Sequence, residues 1–206
     1  MIKLENVSKT FDGKQILDHF SLTVAQDEFI AIVGPSGAGK TTVLNLMGLL
    51  IKPDSGTVSI NGITNPSAKQ TENLRRMSLG YIFQNFVLLE NETVLENLKI
   101  SRKYSKDWSD EKVLDTLKTV GLDESYLKKR VYQLSGGEQQ RIAIARCLLK
   151  PCDIILADEP TGNLDEANKQ AILQIFKKLK GLGKTVICVT HDLELAKEAD
   201  RTIKIG

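Results

Sequence analysis

The sequence contains the stretch Gly34-Pro35-Ser36-Gly37-Ala38-Gly39-Lys40-Thr41-Thr42. An apolar, β-prone run at residues 28–33 precedes it, and a largely apolar, helix-like run at residues 42–50 follows it. A phosphate-binding loop requires strand, glycine-rich turn and helix in this order. Since glycine has no Cβ atom, successive backbone N–H groups can converge on one anion, and the helix adds its positive N-terminal end. The stretch therefore predicts a site for the phosphates of a nucleotide.

Three side chains of this stretch suit the same ligand. Lys40 is expected to neutralise β- and γ-phosphate charge, and the Thr41 hydroxyl suits a Mg²⁺ ligand. Thr42 can donate to a further phosphate oxygen. The alternative is a glycine-rich turn followed by a surface lysine, but every motif position is filled and both flanking elements fit. We expect a nucleoside triphosphate bound with Mg²⁺.

Two adjacent carboxylates end another predicted strand. The run at residues 153–159 has the pattern of a buried strand that ends on Asp158 and Glu159. Together with a phosphate loop, Asp158 is placed to hold Mg²⁺ through water and Glu159 to polarise the attacking water. Adjacent acids at a strand end are often surface charge, but the complete phosphate loop favours the catalytic interpretation.

Two further polar residues follow predicted strands. Gln84 follows the run at residues 80–83, and His191 follows the run at residues 185–190. The carboxyl ends of parallel strands meet at one edge of a sheet, so both residues could lie beside the acids. The Gln84 amide could contact Mg²⁺ or the attacking water, or it could be a loop residue without a task. A lone histidine is usually structural, but the position of His191 favours a role in phosphate chemistry.

A second glycine-containing helix start lies at residues 134–141, Leu-Ser-Gly-Gly-Glu-Gln-Gln-Arg. Ser135, Gly136 and Gly137 at a helix N-terminus form a second anion-binding end. The alternative is an ordinary Ser-Gly helix cap. One nucleotide needs only one cradle, so a second cradle suggests a site shared between two molecules.

The remaining pattern predicts one α/β domain of 206 residues, of which 41% are hydrophobic, enough for a sizeable core. Alternating residues and turn signals near residues 2–24 and 57–60 indicate a small antiparallel β subdomain. Residues from about 85 to 150 lack strand-like alternation and are expected to form an inserted helical lobe.

Composition and charge narrow the possible partners. The formal charge of +2 gives no sign of a nucleic-acid partner. Three scattered cysteines indicate small core residues in a reducing compartment. No run approaches the roughly 20 apolar residues of a membrane helix, so we expect contact with a membrane only through a partner.

Together these stretches resemble the ATP-binding subunit of ATP-binding-cassette (ABC) transporters over the whole chain. The matching motifs are Walker A at residues 34–42, the Q-loop at Gln84, the signature at residues 134–139, Walker B with the catalytic glutamate at residues 154–159, the D-loop at residues 162–165 and the switch histidine at His191. Phe11 falls at the A-loop aromatic, usually tyrosine, which favours stacking on the base over a place in the core. Glu138 departs from the commonest signature, which has glutamine. This form, with residues 81–84 and 160–165, resembles the branch that serves lipoprotein release, macrolide export and antimicrobial-peptide export or resistance.

The resemblance implies a P-loop NTPase fold with a RecA-like, mainly parallel sheet, and residues 1–206 as one ATP-binding domain. It implies two copies facing head to tail, with each ATP between the phosphate loop of one copy and residues 135–137 of the other. Hydrolysis would depend on Glu159, Gln84 and His191. The residues expected to contact nucleotide or metal outside the phosphate loop are Phe11, Gln84, Ser135, Gly136, Gly137, Glu138, Asp158, Glu159, Asp165 and His191.

The resemblance also implies a polytopic membrane permease as partner, and hence a cytoplasmic protein attached to the inner face of the cell membrane. The expected function is to power export or extraction of peptides, lipoproteins or hydrophobic drugs. The alternative is an ATP-driven regulator that acts on a membrane partner without moving substrate. A small-molecule kinase would not need residues 135–137, and a chromosome-maintenance ATPase would carry a long coiled coil. The apolar run at residues 85–89 is either lobe core or an open docking groove for the permease.

Overall fold

The computed structural model describes residues 1–162 and 164–206. The strands are β1 (Ile2–Phe11), β2 (Lys14–Val24), β3 (Phe29–Val33), β4 (Ser55–Ile60), β5 (Ile63–Thr64), β6 (Leu79–Ile82), β7 (Ile154–Asp158), β8 (Thr185–Val189) and β9 (Arg201–Lys204). The α-helices are α1 (Lys40–Met47), α2 (Ala68–Met77), α3 (Val94–Lys99), α4 (Asp110–Thr119), α5 (Gly136–Leu148), α6 (Glu166–Gly181) and α7 (Leu193–Lys197). Short 3₁₀ helices occupy Arg102–Tyr104, Glu124–Lys128 and Val131–Gln133.

One sheet is parallel and has the strand order β6-β7-β8-β3-β9. Its inner strands β7, β8 and β3 are apolar and almost wholly buried, as expected of strands covered on both faces. The carboxyl ends of β6, β7, β8 and β3 therefore lie side by side, and ligands of such sheets bind outside these ends. The predicted α/β class with a mainly parallel sheet is confirmed.

The second sheet is antiparallel and has the strand order β2-β1-β4-β5. Asp12 and Gly13 connect β1 to β2 with φ of 47° and 77°, and Asn61 and Gly62 connect β4 to β5 with φ of 49° and 82°. Two-residue turns with positive φ match the twist of a hairpin, and Asn, Asp and Gly tolerate them best. The predicted antiparallel subdomain is present.

Apolar side chains fill both faces of the parallel sheet. Alternate residues of β7 point to opposite faces, so Ile155 packs towards the helices α3 to α6 and Leu156 towards α1 and the antiparallel sheet. Helix α1 lies between the two sheets and buries its side chains Val43, Leu44 and Met47 there. This packing fixes the N-terminus of α1 beside the edge where the strands end.

Helices α3, α4 and α5 follow one another in the stretch predicted as a helical lobe. Thr93 and Ser109 cap α3 and α4. Trp108 is partly buried against the adjoining core. The described residues 94–148 contain helices and turns but no strand, in keeping with the expected lobe. The division of the chain into a core and an inserted lobe stays a prediction.

Helix α5 also packs closely on the parallel sheet. A Cβ atom on Gly80 would lie 2.2 Å from the Sγ atom of Cys147, so the helix can approach β6 only because residue 80 is glycine. Cys147, Cys152 and Cys188 are all buried and unpaired by disulfides, as predicted. Within the described part of the chain, no helix has the length and hydrophobicity needed to cross a membrane.

Candidate nucleotide site

The phosphate loop, residues 34–39, joins the carboxyl end of β3 to the start of α1. A Cβ atom on Gly34 would lie 2.1 Å from the carbonyl oxygen of Ile205, and one on Gly39 would lie 2.9 Å from Cγ2 of Ile16. Gly39 also has a φ of 95°, which glycine adopts without strain. It precedes α1 without a side-chain cap, so the first N–H groups of the helix are available to an anion.

The Lys40 side chain curls back over this loop. Its Nζ atom donates to the carbonyl oxygens of Gly34 at 2.9 Å and Pro35 at 3.0 Å. These weak partners hold the ammonium group above the loop without neutralising its charge. The positive charge therefore lies at the phosphate loop, where a bound phosphate would need it.

Thr41 and Asp158 meet where α1 approaches the end of β7, since Thr41 Oγ1 donates to Asp158 Oδ1 over 3.2 Å. Burial raises the pKa of the Asp158 carboxyl and the charge of Glu159 raises it further, whereas the Thr41 hydrogen bond and the charge of Lys40 oppose the shift. A cation would offset the cost of this partly buried carboxylate. Hydroxyl and carboxylate oxygens are ligands that Mg²⁺ accepts, so the pair fits this ion.

The chemistry of the site suits a metal ion bound with a substrate. Residues 1–162 and 164–206 contain no group of three or more His, Cys, Asp or Glu side chains that could hold a metal. Mg²⁺ usually takes one or two protein ligands and completes its shell with water and phosphate oxygens. Thr41 and Asp158 fit this mode of binding.

Glu159 and His191 contact each other at the ends of β7 and β8. His191 Nδ1 lies 2.9 Å from Glu159 Oε2, and the His191 backbone N–H donates to the same oxygen over 3.2 Å. The Glu159 side chain is only 15% exposed, whereas that of His191 is 69% exposed. The pair therefore orients a shielded carboxylate at the edge of the sheet, where it can accept a hydrogen bond from water.

Gln84 follows β6, the strand beside β7, and its side chain is exposed. The predicted strand-end residues thus follow adjacent strands in the order Gln84, then Asp158 and Glu159, then His191, then the phosphate loop. The parallel sheet brings them to one edge.

The loop after Gln84 is tied to the helical segment. Arg146 of α5 donates to the carbonyl oxygens of Phe86, at 3.0 Å, and Val87. Burial lowers the pKa of the Arg146 guanidinium. The buried Asn97 of α3 accepts from the backbone N–H of Leu89 at 2.7 Å and donates to its carbonyl oxygen at 3.1 Å. The loop therefore makes its strongest contacts with α3 and α5.

Phe11 ends β1 and is 43% exposed, so it is not a core residue. The Lys9 ammonium lies 5.3 Å from its ring centroid. The partner strand β2 reaches the phosphate loop through Ile16, as its contact with Gly39 shows. An exposed aromatic ring on this strand pair suits stacking on a base.

Ser135 caps α5, and Gly136 and Gly137 form its first turn, as the sequence predicts. Ser135 Oγ accepts from the Glu138 backbone N–H at 3.3 Å, while Glu138 Oε2 accepts from the Ser135 backbone N–H at 2.7 Å. This reciprocal pair is a capping box. The Tyr126 hydroxyl donates to the other carboxylate oxygen, Oε1, over 2.6 Å.

The start of α5 packs against the start of α6. A Cβ atom on Gly137 would lie 2.1 Å from Asn168 Oδ1. The backbone N–H of Asn168 donates to Asp165 Oδ1 over 2.8 Å, so Asp165 caps α6 beside the signature. Asn163, within the expected D-loop, lies outside the described residues.

Three residues of the folded site, Tyr126, Asn97 and Arg146, are not apparent as site residues from the sequence. Each acts on a predicted segment through a contact that only the folded chain creates. An amide on the face of α3 that carries Val94 and Leu98 was the one signal available for Asn97. Nothing in the sequence pairs Tyr126 with a residue twelve positions away.

The phosphate loop, the strand-end acids and the second glycine-containing helix start are together the features of a P-loop protein that binds a nucleoside triphosphate. Residues 17–162 match the family described as ABC transporter. The chain therefore belongs to this family as an ATP-binding subunit.

Individual relatives agree with the family and the predicted branch. The lipoprotein-releasing system ATP-binding protein LolD of Bacteroides thetaiotaomicron is 43% identical over 98% of this chain and 95% of its own length. The macrolide export ATP-binding/permease protein MacB of Chlorobaculum tepidum is 41% identical over 98% of this chain but only 32% of its own length. The dimeric, post-hydrolysis structure of the MJ0796 cassette of Methanocaldococcus jannaschii, bound to ADP and Pi, has a TM-score of 0.90 at 40% identity, over 100% of this chain and 94% of that one.

Proposed function

We propose that the protein hydrolyses ATP with Mg²⁺ and thereby powers a membrane exporter or extractor of peptides, lipoproteins or hydrophobic drugs. Two side-chain contacts beside the phosphate loop carry the ATPase assignment. Thr41 donates a hydrogen bond to Asp158, and Glu159 contacts His191. The similarity to LolD and MacB, which act on lipoproteins and macrolides by name, supports the class of substrate.

The groups of the site divide the reaction between them. The loop N–H groups and Lys40 bind the phosphates, and Thr41 and Asp158 would hold Mg²⁺, which would supply further positive charge beside the phosphate oxygens. Glu159, oriented by His191, accepts a hydrogen bond from the attacking water and so increases its nucleophilicity. Positioning and charge neutralisation lower the barrier, and no covalent intermediate is needed.

The second anion-binding end belongs to the nucleotide of a second copy in this proposal. Residues 135–137 pack beside α6 and near Tyr126, whereas the phosphate loop packs beside β2 and Ile205. Among the described residues, no hydrogen bond joins the two ends. Two copies facing head to tail would complete two sites, and ATP bound at the interface would stabilise the dimer.

A polytopic permease is the proposed partner, and residues 85–89 are the proposed docking surface. Val87 and Leu89 are 49% and 52% exposed, and Phe86 is half-buried, so an apolar surface is open to solvent here. This loop directly follows Gln84, so one segment reaches from the nucleotide edge to the docking surface. Through the permease, the protein would lie on the cytoplasmic face of the membrane.

The test combines hydrolysis with recovery of the partner. The full chain should release phosphate from ATP in the presence of Mg²⁺, and Lys40→Ala should abolish tight Mg-ATP binding in calorimetry. Lys118→Ala, at a lysine whose side chain is 73% exposed, is the matched control. A tagged chain should recover a polytopic membrane protein from detergent-solubilised membranes. Unchanged nucleotide affinity of Lys40→Ala, or recovery of no membrane protein, would contradict the proposal.

A further inference from the structure

Glu138 places a carboxylate on the helix end that the proposed function assigns to phosphate. The positive helix terminus attracts anions, so a carboxylate there competes with a phosphate for the same N–H groups. In this structure both carboxylate oxygens have other partners, Oε2 the Ser135 N–H at 2.7 Å and Oε1 the Tyr126 hydroxyl at 2.6 Å. The N–H groups of Gly136 and Gly137 donate to no side chain among the described hydrogen bonds.

Tyr126 is itself fixed from several directions. It lies in the 3₁₀ helix Glu124–Lys128, and its ring is partly buried against the core cluster to which α5 contributes. The Lys129 ammonium lies 3.8 Å from the ring centroid. The Tyr126 hydroxyl holds the pKa of the Glu138 carboxyl below its usual range, with help from Ser135 and the charge of Lys129. The carboxylate therefore stays ionised, so the direction in which it points decides whether it competes with a phosphate.

We propose that Tyr126 is a positioning residue that holds the Glu138 carboxylate in the capping box, clear of the Gly136 and Gly137 N–H groups that receive the nucleotide of a second copy. The proposal rests on the shared site of the proposed function. A short hydrogen bond to an ionised oxygen is stronger than one between neutral groups, so one phenol can fix the side chain.

The role depends on the charge of residue 138. A glutamine at this position has no charge to repel a phosphate, so its direction matters much less. Loss of the Tyr126 hydroxyl should therefore weaken nucleotide-dependent dimerisation when residue 138 is glutamate and have little effect when it is glutamine. A purely structural tyrosine would have the same effect in both backgrounds.

The experiment measures dimerisation of the full chain in ATP by light scattering over a range of protein concentrations. All variants carry Glu159→Gln, which is expected to slow hydrolysis. Tyr126→Phe is expected to raise the concentration of half-dimerisation about tenfold, because each dimer contains two such sites. When residue 138 is already changed by Glu138→Gln, adding Tyr126→Phe is expected to raise the concentration of half-dimerisation less than about twofold.

Tyr132→Phe is the matched control, because Tyr132 is 60% exposed and its hydroxyl has no partner among the described hydrogen bonds. The melting temperature and the ATP affinity of the monomer are measured for each variant. The positioning role would be overturned if Tyr126→Phe left the concentration of half-dimerisation unchanged. It would also be overturned if Tyr126→Phe raised that concentration by the same factor with glutamine at position 138 as with glutamate. If the Glu159→Gln parent itself stays monomeric in ATP, the shared site fails and this proposal fails with it.

Discussion

Glu159 is held in a backbone conformation that its residue type disfavours. Its φ is 45°, in the left-handed region, which costs an L-residue roughly 1–2 kcal/mol. The backbone N–H of Glu159 donates to the carbonyl oxygen of Val189 over 2.9 Å, and His191 contacts its carboxylate. These contacts maintain the conformation. Local strain of this kind is typical of functional sites, and here it turns the carboxylate towards His191.

Asp158→Asn is expected to raise the melting temperature of the nucleotide-free protein at pH 7. Burial raises the pKa of the Asp158 carboxyl above its value in the unfolded chain, so the folded protein loses stability as the pH rises through that interval. Above the interval the ionised carboxylate is destabilising. The amide removes this cost and can still accept from Thr41. Solvent screening of the partly exposed group limits the gain to about 1–3 °C.

Scanning calorimetry with a chelator present checks this expectation. The control is Asp115→Asn, since the Asp115 side chain is 64% exposed. If Asp158→Asn melts below the wild type, the carboxylate does not bear the cost that its burial implies.

Phe11→Ala is expected to weaken ATP and GTP binding alike, by about 1–3 kcal/mol if the ring stacks fully on the base. Every purine offers a π-face, so stacking alone does not distinguish the two nucleotides. Phe11→Tyr keeps the ring and should bind like the wild type. Calorimetric titrations with both nucleotides give the comparison, and a loss confined to ATP would indicate base recognition by hydrogen bonds.

At the scale of elements, α5 links the two functional ends of the helical segment. Ser135 caps its start, and near its other end Arg146 donates to the carbonyl oxygens of Phe86 and Val87. The Ser101 hydroxyl also donates to the carbonyl oxygen of Arg146 over 2.7 Å. A movement of the loop after Gln84 is therefore expected to move α5 with it.

Val87→Asp is expected to detach or uncouple the membrane partner while leaving ATP binding near that of the wild type. Val87 is 49% exposed, so the charge meets water in the free protein but is buried without a partner in the complex, at a cost of several kcal/mol. Its φ of 50° suits Asp and Asn better than a β-branched valine, so the fold should tolerate the change.

Val87→Asn is the matched control, because it has the shape of the aspartate without the charge. Recovery of the membrane protein is measured beside the melting temperature of the isolated subunit. A lowered melting temperature together with a complex that still assembles would show that residue 87 serves packing rather than docking.

Strands and helices with a clear apolar pattern could be predicted from the sequence, and those without such a pattern could not. The buried strands β3, β7 and β8 have unbroken apolar runs, and α6 repeats apolar residues on one face. Helix α2 was not predicted, because Leu74 is its one buried residue and the apolar stripe is missing. Helix α7 and strand β9 were not predicted either, because α7 has only five residues and β9 is largely exposed, so neither shows a clear apolar pattern.

Some features of the candidate site could likewise be predicted from the sequence, and others could not. The phosphate loop and the acids at strand ends could be predicted because glycine spacing and carboxylates after a buried strand are local features of sequence. The positive φ of Phe86 and Val87 could not, because neither residue type favours it and distant Arg146 stabilises it. Tertiary contacts decide these details.

At the scale of the whole molecule, one chain carries the two proposed anion-binding ends, the phosphate loop and the signature. The phosphate loop is positioned by the two sheets that enclose α1, and the signature by the helices α5 and α6. The structure of a dimeric cassette with a TM-score of 0.90 supports an assembly in which two copies combine. In such an assembly a monomer would bind ATP through the phosphate loop without the signature of a second copy, and hydrolysis would depend on dimerisation.

The molar mass of the Glu159→Gln variant in ATP and in ADP tests the shared site most directly. The amide keeps the shape of the glutamate but lacks its charge and basicity, so ATP should persist at the interface. Light scattering should give a dimer in Mg-ATP and a monomer in Mg-ADP, whereas the wild type should be mainly monomeric in both. A Glu159→Gln variant that binds ATP yet stays monomeric at high protein concentration would contradict the shared site.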